Sequence, residues 1–218
     1  MSETSDKLFT PISNHGLNPK GQLHLNNGWE YLHKKSVQLE EAIFTYDGVL
    51  LATTGERTGR SPNDRFIVKE PGLADDVWWG EVNRSTTPYT FEILLDKIQE
   101  HLNNVDNLFV KDAYCGADVN YRMPVRLITE KAWHAAFMHN MFIRPTSEEI
   151  SKHVPKYTIL HAPELKAIPK QDGVNSEVFV ILALDRGLVI IGGTHYAGEI
   201  KKAIFTIMNH ILPVDGLL

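Results

Sequence analysis

The sequence has little of what would mark a secreted, membrane-spanning or nucleic-acid-binding protein. Its single cysteine, Cys115, excludes an internal disulfide and gives no support to a disulfide-stabilised secreted fold. No apolar run reaches the length of a membrane span, and the first residues are polar rather than a signal peptide. The formal net charge of −5 argues against a nucleic-acid platform, which would carry a basic stripe. These absences predict a cytoplasmic protein that binds neither membranes nor nucleic acids.

The sequence also lacks a P-loop. Residues 55–61 resemble a Walker A loop, but three residues rather than four separate the glycines. Arg60 stands where that motif requires lysine, and Pro62 interferes with a helix continuing from the turn. No other G-x-x-x-x-G-K-[ST] pattern occurs in the chain. A P-loop ATP site is therefore absent from these residues.

Patterns for metal ligation and nucleophilic catalysis are weak. His134 and His139 are five residues apart on a predicted helix, which does not place them on one face, and no H-E-x-x-H motif exists. We expect structural or surface roles for these histidines. Cys115 lies at the end of a predicted strand with no nominated base partner, so it is predicted to be a small buried side chain rather than a nucleophile.

Strand and helix patterns alternate along the 218 residues and predict an α/β fold, a mixed sheet flanked by helices. Residues 1–24 are predicted to form a loosely ordered segment before a domain over residues 25–218. The predicted strands are Glu41–Tyr46, Val49–Thr54, Arg65–Lys69, Leu108–Ala113, Val125–Thr129, Tyr157–His161, Glu177–Leu184 and Leu188–Gly192. The first predicted helix follows an Asn26 or Asn27 cap and runs through about Gln38. The other predicted helices begin at Pro88 after a Thr87 cap, at Glu130 and near Ile200.

The same patterns predict four local features. Asp47-Gly48 is expected to join the first two strands as a hairpin, and residues 77–79 and 83–87 are expected to be loop. The helix over residues 130–142 is expected to present Trp133, Ala136, Phe137 and Met141 on one face. The last helix is expected to be limited by Pro213.

Two Gly-rich cationic turns are the most informative features of the chain. The first, within Thr54–Val68, places two glycines, three arginines and a proline between apolar runs. The second, Gly192–Lys202, carries paired lysines into a helix. Glycines let a backbone approach a ligand, and arginine offers forked donors to a carboxylate or phosphate. Together these turns predict a site for a multiply negative small molecule.

Lys202 has a distinctive position on the last helix. The apolar residues Ile200, Ala203, Ile204, Ile207, Met208 and Ile211 recur at helical spacing. At about 100° per residue, Lys202 lies almost opposite the centre of this stripe. Lys202 either belongs to a solvated face or points into a cleft, and the abrupt end of the chain after this helix favours the cleft.

At these residues the chain resembles the ATP-dependent phosphoenolpyruvate carboxykinases. Five blocks are similar to that family in the right order across roughly residues 40–213. They are Thr58–Val68, Asp112–Ala117, Val125–Glu130, Asn140–Pro145, and Ile191–Lys202 continuing through Met208–Pro213. The resemblance implies a gluconeogenic enzyme that converts oxaloacetate and ATP into phosphoenolpyruvate, ADP and carbon dioxide with Mg²⁺ and Mn²⁺.

The resemblance also implies roles for individual residues. Arg60 would bind the substrate carboxylate and the departing carbon dioxide, and Tyr196 would line the same pocket. Lys202 would contact substrate and bind the metal as a neutral amine, with Lys201 alongside near the phosphates. His195 replaces a common aromatic residue, and Ala197 stands where some members have glycine.

The family's P-loop, its metal-binding histidine and aspartate, and its nucleotide-clamping arginine would all lie beyond residue 218. The resemblance therefore implies the N-terminal domain alone, inactive without the C-terminal nucleotide-binding domain. Two rival hypotheses remain open. The chain could be a non-catalytic module that binds oxaloacetate-like dicarboxylates, or an interaction domain whose cationic turns meet an acidic partner.

Overall fold

The computed structural model describes residues 10–73, 75, 77–214 and 216. The chain divides into two compact units. The first unit comprises residues 1–52 and 102–158, and the second comprises residues 53–101 and 159–218. Within the described residues, no helix is both long enough and apolar enough to cross a membrane.

Strands and helices alternate in both units. The strands are β1 (Gln22–Leu25), β2 (Ala42–Phe44), β3 (Leu50–Ala52), β4 (Arg65–Val68), β5 (Ser85–Thr86), β6 (Asn107–Cys115), β7 (Met123–Thr129), β8 (Tyr157–Ala162), β9 (Phe179–Ala183) and β10 (Leu188–Gly192). The α-helices are α1 (Trp29–Gln38), α2 (Pro88–Asn104), α3 (Ala132–Met141), α4 (Ser147–Ile150), α5 (Pro169–Asp172) and α6 (Gly198–Val214). The predicted α/β class with a mixed sheet is confirmed.

The first unit arranges its sheet in the order β1-β6-β7. Strand β1 runs parallel to β6, whereas β6 and β7 are antiparallel. Helices α1 and α3 contribute Leu32, Ala132, Ala135 and Ala136 to a buried cluster with Phe109 of β6. This cluster forms because small alanine side chains let α3 approach its neighbours closely.

The predicted hairpin at Asp47-Gly48 is confirmed, since β2 and β3 form an antiparallel pair. Gly48 has φ +78°, and its N–H donates to Thr45 O at 2.9 Å. The N–H of Thr45 in turn donates to Val49 O at 2.8 Å. Glycine is needed here because the left-handed conformation is strained for residues that carry a Cβ.

The second unit arranges its sheet in the order β8-β10-β9-β4-β5. Strand β4 is parallel to β9 and β5, while β9 and β10 are antiparallel. Every residue of Val178–Ala183 is fully buried, which confirms the inference from its nearly continuous apolar run. The predicted Thr87 cap also exists, because its Oγ1 accepts a hydrogen bond from Thr90 N at 3.1 Å, and α2 follows.

Helix α6 packs its apolar stripe into the second unit. Ile200, Ala203, Ile204 and Ile207 are at most 1% exposed, as the helical spacing predicts. The expectation that Pro213 limits the helix is wrong, since α6 continues through Pro213 to Val214. Pro213 still removes the hydrogen bond that its N–H would have donated, but the helix ends only one residue later, so no further turn depends on that bond.

Several local predictions need correction. Helix α1 begins after Gly28 rather than after an asparagine cap, and β5 lies within the predicted loop 83–87 because it pairs with β4. Residues 10–24, expected to be loosely ordered, include a 3₁₀ helix at Ile12–His15 and part of β1. Residues 1–9 of that segment lie outside the described residues.

The predicted apolar face of α3 is also wrong. Met141 is 46% exposed, and Trp133 and Phe137 are only half-buried. The buried residues instead lie around most of the helix and include Ala132, His134, Ala135, Ala136, Met138 and His139. Because α3 is covered on several sides, its sequence carries no single apolar stripe from which one face could be identified.

Candidate active site

The first cationic turn leads into β4 in the second unit. Arg60 is exposed, whereas the adjacent Ser61 is only 6% exposed. Pro62 begins a three-residue 3₁₀ helix that ends at Asp64, immediately before β4. A Cβ on Gly59 would meet no atom within 4 Å, so the backbone beside Arg60 is open. Such an open glycine lets a ligand approach the main chain closely.

The second cationic turn follows β10, and tight packing shapes it. Gly193 has φ +69°, and a Cβ there would lie 2.3 Å from the backbone oxygen of Glu177. Thr194 is 1% exposed; its Oγ1 accepts from Tyr196 N at 3.1 Å and its carbonyl accepts from His161 Nε2 at 3.2 Å. These bonds fix the backbone conformation just before α6. They therefore help to orient Tyr196 and the start of the helix that carries the two lysines.

All four residues that the sequence nominated line one cavity of about 370 Å³. The lining residues are Arg60, Tyr196, Gly198, Lys201, Lys202 and Phe205. A second cavity of about 360 Å³ shares Arg60 and Lys202 and adds Pro62 and Arg65. Cations from two distant parts of the chain therefore meet around one space, an arrangement suited to an anion with more than one negative charge.

Glu199 and Arg65 belong to this neighbourhood but were not found by sequence reasoning. The Glu199 carboxylate is fully buried, accepts from Ser61 N at 2.6 Å and accepts from Arg65 Nη2 at 3.0 Å. One sequence signal could have identified it. Glu199 precedes Ala203 by four residues, so helical periodicity places its carboxylate beside the buried stripe, where a charge requires partners.

The environment of Lys202 disfavours its charged form. Burial lowers the pKa of its amine, and the nearby guanidinium groups of Arg65 and Arg60 lower the pKa further. Glu199 acts in the opposite direction. The Lys202 Nζ lies 4.2 Å from the ring centroid of Phe205. Lys202 is half-buried and points into the cavity, which fits the cleft interpretation rather than a solvated face, while Lys201 is exposed.

The described residues contain no group of three or more His, Cys, Asp or Glu side chains that could hold a metal ion. A neutral Lys202 amine could supply one ligand at the cavity, and the buried Glu199 carboxylate already serves Ser61 and Arg65. The cavity residues therefore fit a single contribution to a metal site rather than a complete site.

The other sequence candidates lie outside this cavity or at its margin. His134 and His139 are at most 8% exposed and belong to the first unit. Cys115 also belongs to the first unit, and burial raises the pKa of its half-buried thiol. His195 is half-buried, with Nε2 3.5 Å from a carboxylate oxygen of Glu164, and Ala197 is buried. None of these side chains is among those that line the cavity.

Comparison with known proteins adds an independent observation. The sequence profile of the phosphoenolpyruvate carboxykinase family matches residues 21–218. The chain is 46% identical over 187 residues to a phosphoenolpyruvate carboxykinase (ATP) of Geobacillus kaustophilus, covering 86% of this chain and 35% of the relative. It is 47% identical over 201 residues to phosphoenolpyruvate carboxykinase (ATP) 1 of Moorella thermoacetica, covering 92% and 38%. It is 43% identical over 206 residues to the Thermus thermophilus protein of the same name, covering 93% and 39%.

The chain thus spans between 35% and 39% of the length of these relatives. The match begins at residue 21, so it includes both cationic turns and every residue that lines the cavity. This chain belongs to the family of ATP-dependent phosphoenolpyruvate carboxykinases.

Proposed function

We propose that the chain is the substrate-side, N-terminal domain of a carboxykinase that converts oxaloacetate and ATP into phosphoenolpyruvate, ADP and carbon dioxide. The observation that carries this proposal is the convergence of Arg60, Tyr196, Lys201 and Lys202 on one cavity. Oxaloacetate and phosphoenolpyruvate both carry several negative charges, and three cations around one space match that charge. The family membership supports the enzyme over the non-catalytic binding module and the interaction domain.

In this proposal Arg60 binds the substrate carboxylate that becomes carbon dioxide. Its guanidinium is a planar fork that can donate two parallel hydrogen bonds to a carboxylate. Its exposure and the open backbone at Gly59 support access to an incoming ligand. Tyr196 lines the same cavity and can donate its phenolic hydrogen to a carboxylate oxygen.

Lys201 and Lys202 act on the negative charge that develops during transfer. Decarboxylation of oxaloacetate produces an enolate, and fixed cations beside that oxygen stabilise it. We assign Lys201 to the phosphates and Lys202 to the substrate and metal. Lys202 would release its proton to bind the metal as a neutral amine, and its lowered pKa makes that release easier. A bound Mn²⁺ or Mg²⁺ would polarise the same oxygens as a Lewis acid.

The rest of the machinery is proposed to lie outside these residues. The described residues hold no metal-ligand cluster, and the sequence holds no P-loop. ATP and most metal ligands would then be supplied by a C-terminal nucleotide-binding domain, in a gluconeogenic enzyme of the cytoplasm. Residues 25–218 would supply the substrate side and would not turn over oxaloacetate alone.

Calorimetric titration of this chain with oxalate, a stable dicarboxylate, tests the proposal. We expect saturable binding that Arg60→Lys weakens by about tenfold or more, because a point charge cannot replace a planar fork. Arg186→Lys, which alters an arginine of the same unit that pairs with Glu92 outside the cavity, is the matched control and should bind as the wild type does. Absence of binding, or equal binding by Arg60→Lys and the wild type, would contradict the proposal.

A further inference from the structure

Glu199 joins the two cationic turns through a buried carboxylate. Glu199 is 0% exposed, and its two carboxylate oxygens accept hydrogen bonds from different partners. Oε1 accepts from the backbone N–H of Ser61, whereas Oε2 accepts from the side chain of Arg65. Burying an unpaired carboxylate would be strongly unfavourable, so these two charge-assisted bonds must be kept for Glu199 to remain inside.

The bond to Ser61 acts directly on Arg60. The N–H of Ser61 belongs to the same planar peptide unit as the carbonyl of Arg60, so holding that N–H orients the plane that leaves the Arg60 Cα. Ser61 O also accepts from Asp64 N at 3.0 Å within the 3₁₀ helix. Ser61 and Arg65 flank that 3₁₀ helix, so Glu199 holds both of its ends.

Glu199 is also connected to the two lysines, through the backbone of α6. Glu199 lies in the first turn of α6, and Lys201 and Lys202 follow it two and three residues later in the same helix. A helical backbone is stiff, so Glu199 and the two lysines move together. The carboxylate therefore fixes the backbone beside Arg60 relative to the helix that carries both lysines.

From this geometry we propose that Glu199 is a positioning residue, which holds Arg60 at the distance from Lys201 and Lys202 that a dicarboxylate requires. The inference rests on the proposed function and extends it to a residue that does not touch substrate. Anion sites gain affinity when their donors are held before the ligand arrives, because less ordering entropy is lost on binding.

Two other roles for Glu199 predict different results. If Glu199 only contributes negative charge, its removal should strengthen anion binding, because the cations that line the two cavities would lose a counter-charge. These cations are Arg60, Arg65, Lys201 and Lys202. If it only stabilises the fold, its removal should lower the melting temperature without a specific effect on binding. A positioning role predicts weaker binding, restored by any side chain that still accepts from Ser61.

The test compares Glu199→Ala with Glu199→Gln in the full 218-residue chain, with oxalate as the probe. The glutamine carbonyl can still accept from Ser61, although its NH2 group then faces the Arg65 donor. We therefore expect glutamine to keep affinity within about threefold of wild type through the Ser61 bond, whereas alanine should weaken binding by about tenfold or more. Asp172→Ala is the matched control. Asp172 is 1% exposed and likewise accepts from one backbone N–H, that of Ile168 at 2.8 Å, and from one cation, Lys97 at 2.5 Å.

Amide hydrogen exchange provides a measurement that does not depend on ligand. Glu199→Ala should accelerate exchange at Ser61 by about a hundredfold, while Asp172→Ala should accelerate exchange at Ile168 and leave Ser61 unchanged. If Glu199→Ala does not fold, exchange at Ser61 is compared in the wild type and in Glu199→Gln, and slow exchange in both is expected. Rapid exchange there in the wild type would overturn the inference.

The two proposals fail in different ways. If the wild type binds no oxalate, the proposed function fails, and the exchange measurement still decides whether Glu199 holds the turn. If the wild type binds and Arg60→Lys weakens binding, but Glu199→Ala binds as the wild type or more tightly, the positioning role is wrong and the proposed function stands.

Discussion

The ring of Tyr196 packs against the α-carbon of Gly198 so closely that no side chain fits between them. A Cβ on Gly198 would lie 2.4 Å from Cε1 and 2.9 Å from Cζ of the ring. Gly198 is also the first residue of α6 and lines the same cavity as Tyr196. The glycine therefore allows the phenol to lie across the start of the helix, beside the lysines.

Gly198→Ala should displace Tyr196 and weaken oxalate binding by about tenfold, because an added methyl group cannot occupy a space that the ring already fills. Gly80→Ala, in the same unit but outside the cavity, is the matched control, since a Cβ there meets nothing within 4 Å and the residue has no positive φ. Calorimetry on both variants measures the difference. Equal affinities would show that the position of Tyr196 is unimportant for the anion.

Glu41 should make stability depend on pH. Burial raises the pKa of Glu41 from 4.5 to about 7, although its carboxylate accepts from Trp133 N at 3.0 Å. Between about pH 4.5 and 7 the folded chain keeps a proton that the unfolded chain has released, so the free energy of unfolding falls as pH rises through this range. Glu41→Gln keeps an acceptor and removes the titration.

Urea unfolding at pH 5 and pH 8 checks this expectation. From pH 5 to pH 8, the free energy of unfolding of the wild type should fall by about 1 to 3 kcal/mol relative to that of Glu41→Gln. This range allows for solvent screening, because Glu41 is only partly buried. Glu40→Gln, at an exposed neighbouring residue, is the control and should follow the wild-type curve. Parallel curves for Glu41→Gln and the wild type would contradict the prediction.

Ile207 tests the contribution of α6 to the core of the second unit. The residue is 0% exposed. Truncation to alanine removes buried apolar surface and also leaves a cavity, and both effects are destabilising. Ile207→Ala should lower the free energy of unfolding by about 2 to 4 kcal/mol, whereas exposed Asn209→Ala should change it by less than about 0.5 kcal/mol. Chemical denaturation gives both values. A loss below about 1 kcal/mol for Ile207→Ala would mean that this helix is not part of the core.

ATP should not bind this chain at micromolar concentrations. The sequence contains no P-loop, so the backbone cradle that would hold the phosphates of ATP is absent from these residues. Calorimetry with MgATP at concentrations up to the millimolar range measures this. A stoichiometric micromolar site would place nucleotide binding within these residues and contradict the proposal that a C-terminal domain binds ATP.

Much of the local structure could be predicted from the sequence. The hairpin at Asp47-Gly48, the Thr87 cap and the apolar stripe of α6 each depend on residues within a few positions of one another. Such features follow from backbone torsion preferences and side-chain periodicity, which act locally. Strand β5 was missed because two residues carry no period and form a strand only by pairing with β4.

The sequence by itself determined the chemical types at the candidate site and its family, because Arg60, Tyr196, Lys201 and Lys202 stand in two recognisable cationic turns. Only the tertiary structure decided that all four line one cavity, and that Glu199 meets the N–H of Ser61, 138 residues away. No local pattern encodes which donor a buried carboxylate will find. That choice is made when β4, β9 and α6 pack, because the carboxylate must be paired wherever the core places it.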